Sequence, residues 1–132
     1  MEGLNIWHAS LDTDFEMAKS LHFVINAGLE KNPDPEDVRL ALEGWKLASG
    51  IISGRKADIV VLDEINCAMD FGLLPVGEVL EAIRTKPDGM ELVLTGRGAP
   101  PEIIEAADLV TEMREIRHYY AKGVDARVGV ER

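Results

Sequence analysis

The sequence predicts an α/β domain of three layers, built on a mostly parallel sheet. Three observations carry that expectation. Ile59-Val60-Val61-Leu62 is an unbroken apolar run rich in β-branched residues, the pattern of a strand covered on both faces. Leu92-Val93-Leu94 repeats it between a Pro87-Asp88-Gly89 turn and Gly96. Between the two, Pro75–Lys86 carries Val76, Val79, Leu80 and Ile83 at helical spacing, with Arg84 and Lys86 near its negative end. A strand, an amphipathic helix and a second strand make a right-handed crossover, so the two apolar runs are expected as parallel neighbours in one sheet.

The remaining elements follow in chain order. Leu4–Trp7 is a candidate first strand. Phe15–Ala27 reads as a helix with Asp12 or Thr13 near its cap and Gly28 at its end. Asn32-Pro33-Asp34-Pro35 opens the next helix: Asp34 suits the N-cap, Pro35 the first helical position, and Glu36 and Asp37 the positive helix end. Val38, Leu42, Trp45 and Ile52, with Ala41 and Ala48 beside them, then mark an apolar stripe to Ser53, and Gly54 stops the helix. Pro100-Pro101 opens a short helix through Ala107, and Leu109-Val110-Thr111 is a candidate short strand.

Composition narrows the function classes. The 132 residues are 46% hydrophobic and 29% charged, a balance that suits a single soluble domain. The charge sum of 14 − 24 = −10 disfavours phosphate backbones and anionic lipid as main partners, so neither nucleic acid nor membrane is expected. Cys67 is the lone cysteine, which excludes an internal disulfide and suits a reducing compartment. No apolar run approaches the roughly 18 residues of a membrane span, and Met1–Phe15 has no basic stretch ahead of an apolar one. A cytoplasmic location is expected.

Chemistry concentrates at two points. Asp63-Glu64 follows the first buried run, and carboxylates at the C-terminal tip of a strand lie where open α/β sheets put their ligands. In P-loop enzymes this is the Walker B arrangement, in which one acid holds Mg²⁺ and its neighbour orients a reacting group. A strand that simply meets water through polar residues accounts for the pair equally well. Thr95-Gly96-Arg97-Gly98 follows the second run: two glycines admit a ligand close to the backbone, and a guanidinium reaches phosphate oxygens. Alone, a glycine turn with a solvated arginine is the plainer account. Together the signals are more specific, because parallel neighbours bring Asp63, Glu64 and Arg97 to one sheet edge as a polyphosphate site.

Other candidates are weaker. His8, His22 and His118 have no metal-ligand spacing and read as structural or surface residues. Cys67 lacks a nearby histidine and reads as a buried structural thiol. Trp7 and Trp45 occupy periodic apolar positions and read as core. No G-x-S-x-G elbow and no G-x-x-x-x-G-K-[ST] phosphate loop occurs.

The stretches VVLDEINCAMDFGLLPVGEVLEAI and LVLTGRGAPPEIIEAADLVTEMREIRHYYAKGVDARVGVE resemble the C-terminal half of the P-loop-type ATP:corrinoid adenosyltransferases, closely from about Asp58 to Gly129. Before Asp58 the likeness is confined to the first strand and the helix that leads into residue 59. The resemblance implies a truncated RecA-type P-loop fold and transfer of 5′-deoxyadenosyl from ATP to a Co(I) corrinoid, with release of triphosphate, in adenosylcobalamin biosynthesis. It implies Mg²⁺ as cofactor, and ATP and a corrinoid as substrates. Carried over by position, Asp63 and Glu64 serve the metal, and Glu64 and Arg97 are the catalytic pair. Thr95, Gly96, Arg97, Gly98 and Asn66 meet the nucleotide.

Departures accompany the match. The family's phosphate loop has no counterpart here, its aromatic corrin-facing loop is not recognisable near Ala9–Phe15, and Asp125 and Arg127 stand where family tails often carry Lys and Gln. The alternative expectation is a catalytically inactive shortened relative, a nucleotide- or corrinoid-binding or interaction module. Loss of the strand that bears the phosphate loop would also leave an uncovered side, so weak ATP binding and a homo-oligomer are expected.

Overall fold

Three strands form one sheet in the order β1-β2-β3: Ile6–Ala9, Ile59–Leu62 and Glu91–Leu94. The structure, a computed structural model, describes residues 33–124 together with the backbone of residues 6–9. Both pairings are parallel. Ile6 lies opposite Ile59 and Ala9 opposite Leu62, while Ile59 lies opposite Glu91 and Leu62 opposite Leu94. The expected parallel adjacency of the two apolar runs is therefore observed, and the α/β class with it. β2 and β3 also finish level at their C-terminal tips. The first strand is set two residues later than expected, and Leu4 lies outside the described residues, as do the expected helix Phe15–Ala27 and residues 125–132.

Helix α1, Pro35–Ser53, begins as its sequence requires. Asp34 is extended, its carboxylate accepts the Glu36 N–H at 2.8 Å, Pro35 opens the first turn, and the helix ends at Gly54. Ala41, Trp45, Ala48, Ile51 and Ile52 are buried, but Leu42 is 38% exposed. At 3.6 residues per turn, Leu42 lies about a quarter turn from the centre of the stripe made by residues 41, 45, 48 and 52, which puts it on the flank.

After β2 the chain forms α2, Ile65–Asp70, a short helix that periodicity alone did not reveal. Helix α3, Val76–Thr85, packs against α1 and against α4, Pro101–Ala106. The core joins the buried stripe of α1 to Val60 and Leu62 of β2, to Ile65, Ala68 and Met69 of α2, and to Leu73, Leu74, Val79, Met90 and Ile103.

Two expectations about strands are corrected. Burial alternates along β2, with Val60 and Leu62 buried and Ile59 and Val61 only partly so. On β3, Val93 is 43% exposed, so an unbroken apolar run did not mean complete burial on both faces. Leu109-Val110-Thr111 forms no strand; Leu109 is 84% exposed and Val110 55%. Strand propensity registers only when a neighbouring strand pairs the backbone and buries one face, and residues 109–111 pair with no strand among the described residues. A 3₁₀ turn, Tyr119–Lys122, follows.

No helix among the described residues is long and apolar enough to cross a membrane.

Candidate functional site

Because β2 and β3 end level, the segments that leave them lie side by side, and Thr95 sews them together. Its N–H donates to Leu62 O at 3.1 Å, continuing the ladder by one bond. Its carbonyl accepts Asn66 N–H at 3.1 Å. Its hydroxyl accepts Glu64 N–H at 2.9 Å and donates to Asp63 Oδ1. One residue of the second loop thus bonds to Leu62 at the end of β2, to Asp63 and Glu64 of the turn, and to Asn66 in the first turn of α2.

This seam forces an unusual backbone. Glu64 stands at φ 59°, ψ 17°, a left-handed conformation that costs a residue with a Cβ roughly 1–2 kcal/mol. The turn directs the chain from the strand into α2 within two residues.

Glu64 is held at its other end by Cys67, one helical turn on. The thiol donates to Glu64 Oε2 at 2.8 Å, and the sulfur accepts Arg97 N–H at 3.2 Å. Partial burial, and then the hydrogen bond to Glu64, push the Cys67 pKa up, outweighing the opposite pull of the Arg97 N–H. The thiol is therefore a donor rather than a nucleophile. Expected as a buried structural residue, Cys67 is only partly buried and is bonded into the site itself.

Two glycines make the fit possible. Gly96 has φ +114°, and a Cβ there would lie 3.2 Å from Glu64 Cα, Glu64 Oε2 and Cys67 N. Gly98 has φ +70°, and a Cβ there would lie 2.9 Å from the Asp70 carboxyl.

Asn66 is 6% exposed, with Nδ2 3.5 Å from Gly96 O and Oδ1 without a hydrogen-bond partner. A buried orphan acceptor typically costs about 1–3 kcal/mol. Arg97 projects from the same loop, exposed, and its guanidinium makes no hydrogen bond or ion pair among the described residues.

All seven residues singled out by sequence, Asp63, Glu64, Asn66, Thr95, Gly96, Arg97 and Gly98, therefore lie around the C-terminal edge of β2 and β3. Cys67 and Asp70 are the additions. Their signal was the i, i+3 spacing of Glu64 and Cys67 across one turn, visible only once residues 65–70 are known to be helical. His118 stands apart: it accepts Tyr120 N–H through Nδ1 at 3.1 Å and stacks on Tyr119. The side chains of Trp7, His8 and His22 lie outside the described residues.

No group of three or more His, Cys, Asp or Glu side chains converges as a metal cage among the described residues. Adjacent carboxylates at a strand tip suit a different arrangement, a hard cation that takes one or two protein oxygens and fills its remaining positions with phosphate oxygens and water.

The chain's likeness to known proteins runs through this edge. The family profile described as ATP:corrinoid adenosyltransferase BtuR/CobO/CobP matches residues 6–132. A corrinoid adenosyltransferase from Pseudomonas aeruginosa is 42% identical over 95 residues, covering 72% of this chain and 47% of that protein. One from a Sinorhizobium species is 42% identical over 96 residues, with 72% and 45% covered. One from Escherichia coli K12 is 33% identical over 95 residues, with 72% and 48% covered. The chain spans about half the length of these curated relatives.

Proposed function

The chain belongs to the ATP:corrinoid adenosyltransferase family, and from that premise we propose that its strand-tip edge binds the polyphosphate of ATP, with Mg²⁺, for adenosyl transfer to a Co(I) corrinoid. The observation that carries the reading is the seam itself. Thr95 ties Asp63 and Glu64 to the loop that bears Arg97, so the two acidic residues and the arginine loop share one edge.

In this reaction the C5′–O bond to the triphosphate breaks as a cobalt–C5′ bond forms, and the triphosphate leaves with the electron pair. Bound Mg²⁺ would neutralise phosphate charge, and Asp63 and Glu64 are the residues that would hold it. Arg97 faces the charge that grows on the departing triphosphate, where a fixed cation favours the transition state over the ground state. Gly96 and Gly98 let the backbone approach the nucleotide, while Thr95 and Asn66 anchor the loop beneath it. Glu64 and Arg97 are thus the catalytic pair of this proposal.

A second reading has its own observation. The 132 residues contain no G-x-x-x-x-G-K-[ST] run, whose amides and lysine hold the phosphates in P-loop proteins. On that reading the chain binds nucleotide or corrinoid without turning it over. We also propose cytoplasmic action, no nucleic-acid or membrane partner, and a homo-oligomer; a monomer in light scattering at micromolar concentration overturns the last.

Calorimetry with MgATP tests binding: the expected dissociation constant is about high micromolar or weaker, since each missing charge-assisted hydrogen bond removes roughly 1.5–3 kcal/mol. Nanomolar binding would contradict that expectation, and no binding at all would overturn the site. Spectroscopic detection of an alkylated corrinoid from ATP and a reduced corrinoid then separates the enzyme from the inactive module.

A further inference from the structure

We infer that Thr95 is a positioning residue, whose hydroxyl fixes the Asp63 carboxylate in the orientation in which it meets a cation. The inference rests on the reading above that Asp63 serves a magnesium–nucleotide complex.

The direction of each hydrogen bond follows from the partners. A backbone N–H can only donate, so the Thr95 oxygen accepts from Glu64 N at 2.9 Å. A carboxylate can only accept, so the single hydroxyl proton of Thr95 goes to Asp63 Oδ1. The Thr95 N–H is committed to Leu62 O and its carbonyl to Asn66 N–H. Both donors of Thr95 are therefore spent inside the seam. A threonine in this state has no proton to offer a phosphate; what it offers is a fixed carboxylate next door.

Thr95 also differs from its loop neighbours in what holds it. Arg97 has an exposed side chain and only its backbone joined to Cys67. Thr95 is partly buried, and its side chain joins the two loops across 31 and 32 positions of sequence. Partners that orient a metal-binding carboxylate in this way typically change metal affinity about 10- to 100-fold when removed.

The test uses the 132-residue chain. Thr95→Val keeps the branched shape and removes the hydroxyl, whereas Thr95→Ser keeps the hydroxyl. ATP is titrated calorimetrically into each variant in Mg²⁺ and in EDTA, with circular dichroism as the check on folding.

The expected result is that the wild type and Thr95→Ser gain affinity from Mg²⁺. Thr95→Val loses about tenfold or more of that gain, a larger loss than any it shows for ATP in EDTA. A Thr95→Val chain with the full wild-type gain overturns the inference and leaves the proposed function standing. An equal loss with and without Mg²⁺ also overturns it, since Thr95 would then act on the loop as a whole. A wild-type chain with no Mg²⁺ gain overturns the proposed function itself. Should Thr95→Val fail to fold, Thr95→Ala removes the same hydroxyl without adding bulk and carries the same expectation.

Discussion

Gly96 lies against Glu64 so closely that a Cβ on Gly96 would stand 3.2 Å from both Glu64 Cα and Glu64 Oε2. The neighbour here is backbone as well as side chain, and Gly96 itself is at φ +114°. Gly96→Ala is therefore expected to lower stability by about 2 kcal/mol or more, through strain and displacement of the Glu64 turn. Chemical denaturation measures this, and a loss below about 0.5 kcal/mol would show that the two loops part freely. Gly98→Ala also strains a backbone at φ +70°, but its nearest neighbour is the exposed Asp70 side chain rather than backbone, so its loss is expected to be smaller.

Arg97→Ala separates binding from folding. The guanidinium is exposed and makes no hydrogen bond or ion pair among the described residues, so stability should change by less than about 0.5 kcal/mol. MgATP affinity should fall about tenfold, the worth of one charge-assisted contact to phosphate. Unchanged affinity in calorimetry would remove Arg97 from the site.

Cys67 gives the chain a pH signature. Its pKa is raised above the ordinary 9.0 in the folded chain, so the native state holds its thiol proton more tightly than the unfolded state does. The resulting stability is fully present below about pH 9 and is lost as pH rises through the folded value. In metal-free buffer the thermal midpoint of the wild type should fall more steeply above pH 9 than that of Cys67→Ser. Parallel profiles would count against a raised Cys67 pKa, and so against the burial and the Glu64 bond that raise it.

Asn66→Leu tests why a buried acceptor is left without a partner. The amide makes one long contact, and Gly96 is exposed enough for water to take its place. Replacing the amide with an apolar group of similar size should leave stability within about 1 kcal/mol of wild type or raise it. MgATP affinity should fall in the same variant. A large loss of stability with unchanged affinity would make Asn66 a purely structural residue.

Local structure was legible wherever near neighbours decide it. Asp34-Pro35 with Glu36 and Asp37 announced α1, and the cap, the proline and the acidic first turn are all present. The apolar runs at 59–62 and 92–94 announced β2 and β3. Leu109-Val110-Thr111 carried an equally plain local signal and failed, because its outcome depended on a neighbour to pair with rather than on its own residues. The short helix α2 was missed for the opposite reason. Six residues are too few to display a period, and what turns the chain there is the left-handed Glu64.

The sequence by itself determined the acid pair at the end of a buried strand, the glycine–arginine loop after the next one, and the resemblance to a corrinoid adenosyltransferase. These depend on residues within a few positions of one another. The tertiary structure decided how they meet. The level register of β2 and β3 puts Thr95 against Leu62, and from that one alignment follow the hydroxyl bond to Asp63, the left-handed Glu64 and the thiol bond that closes behind it. No local pattern encodes a hydrogen bond across 32 residues, because it exists only when two strands stop side by side.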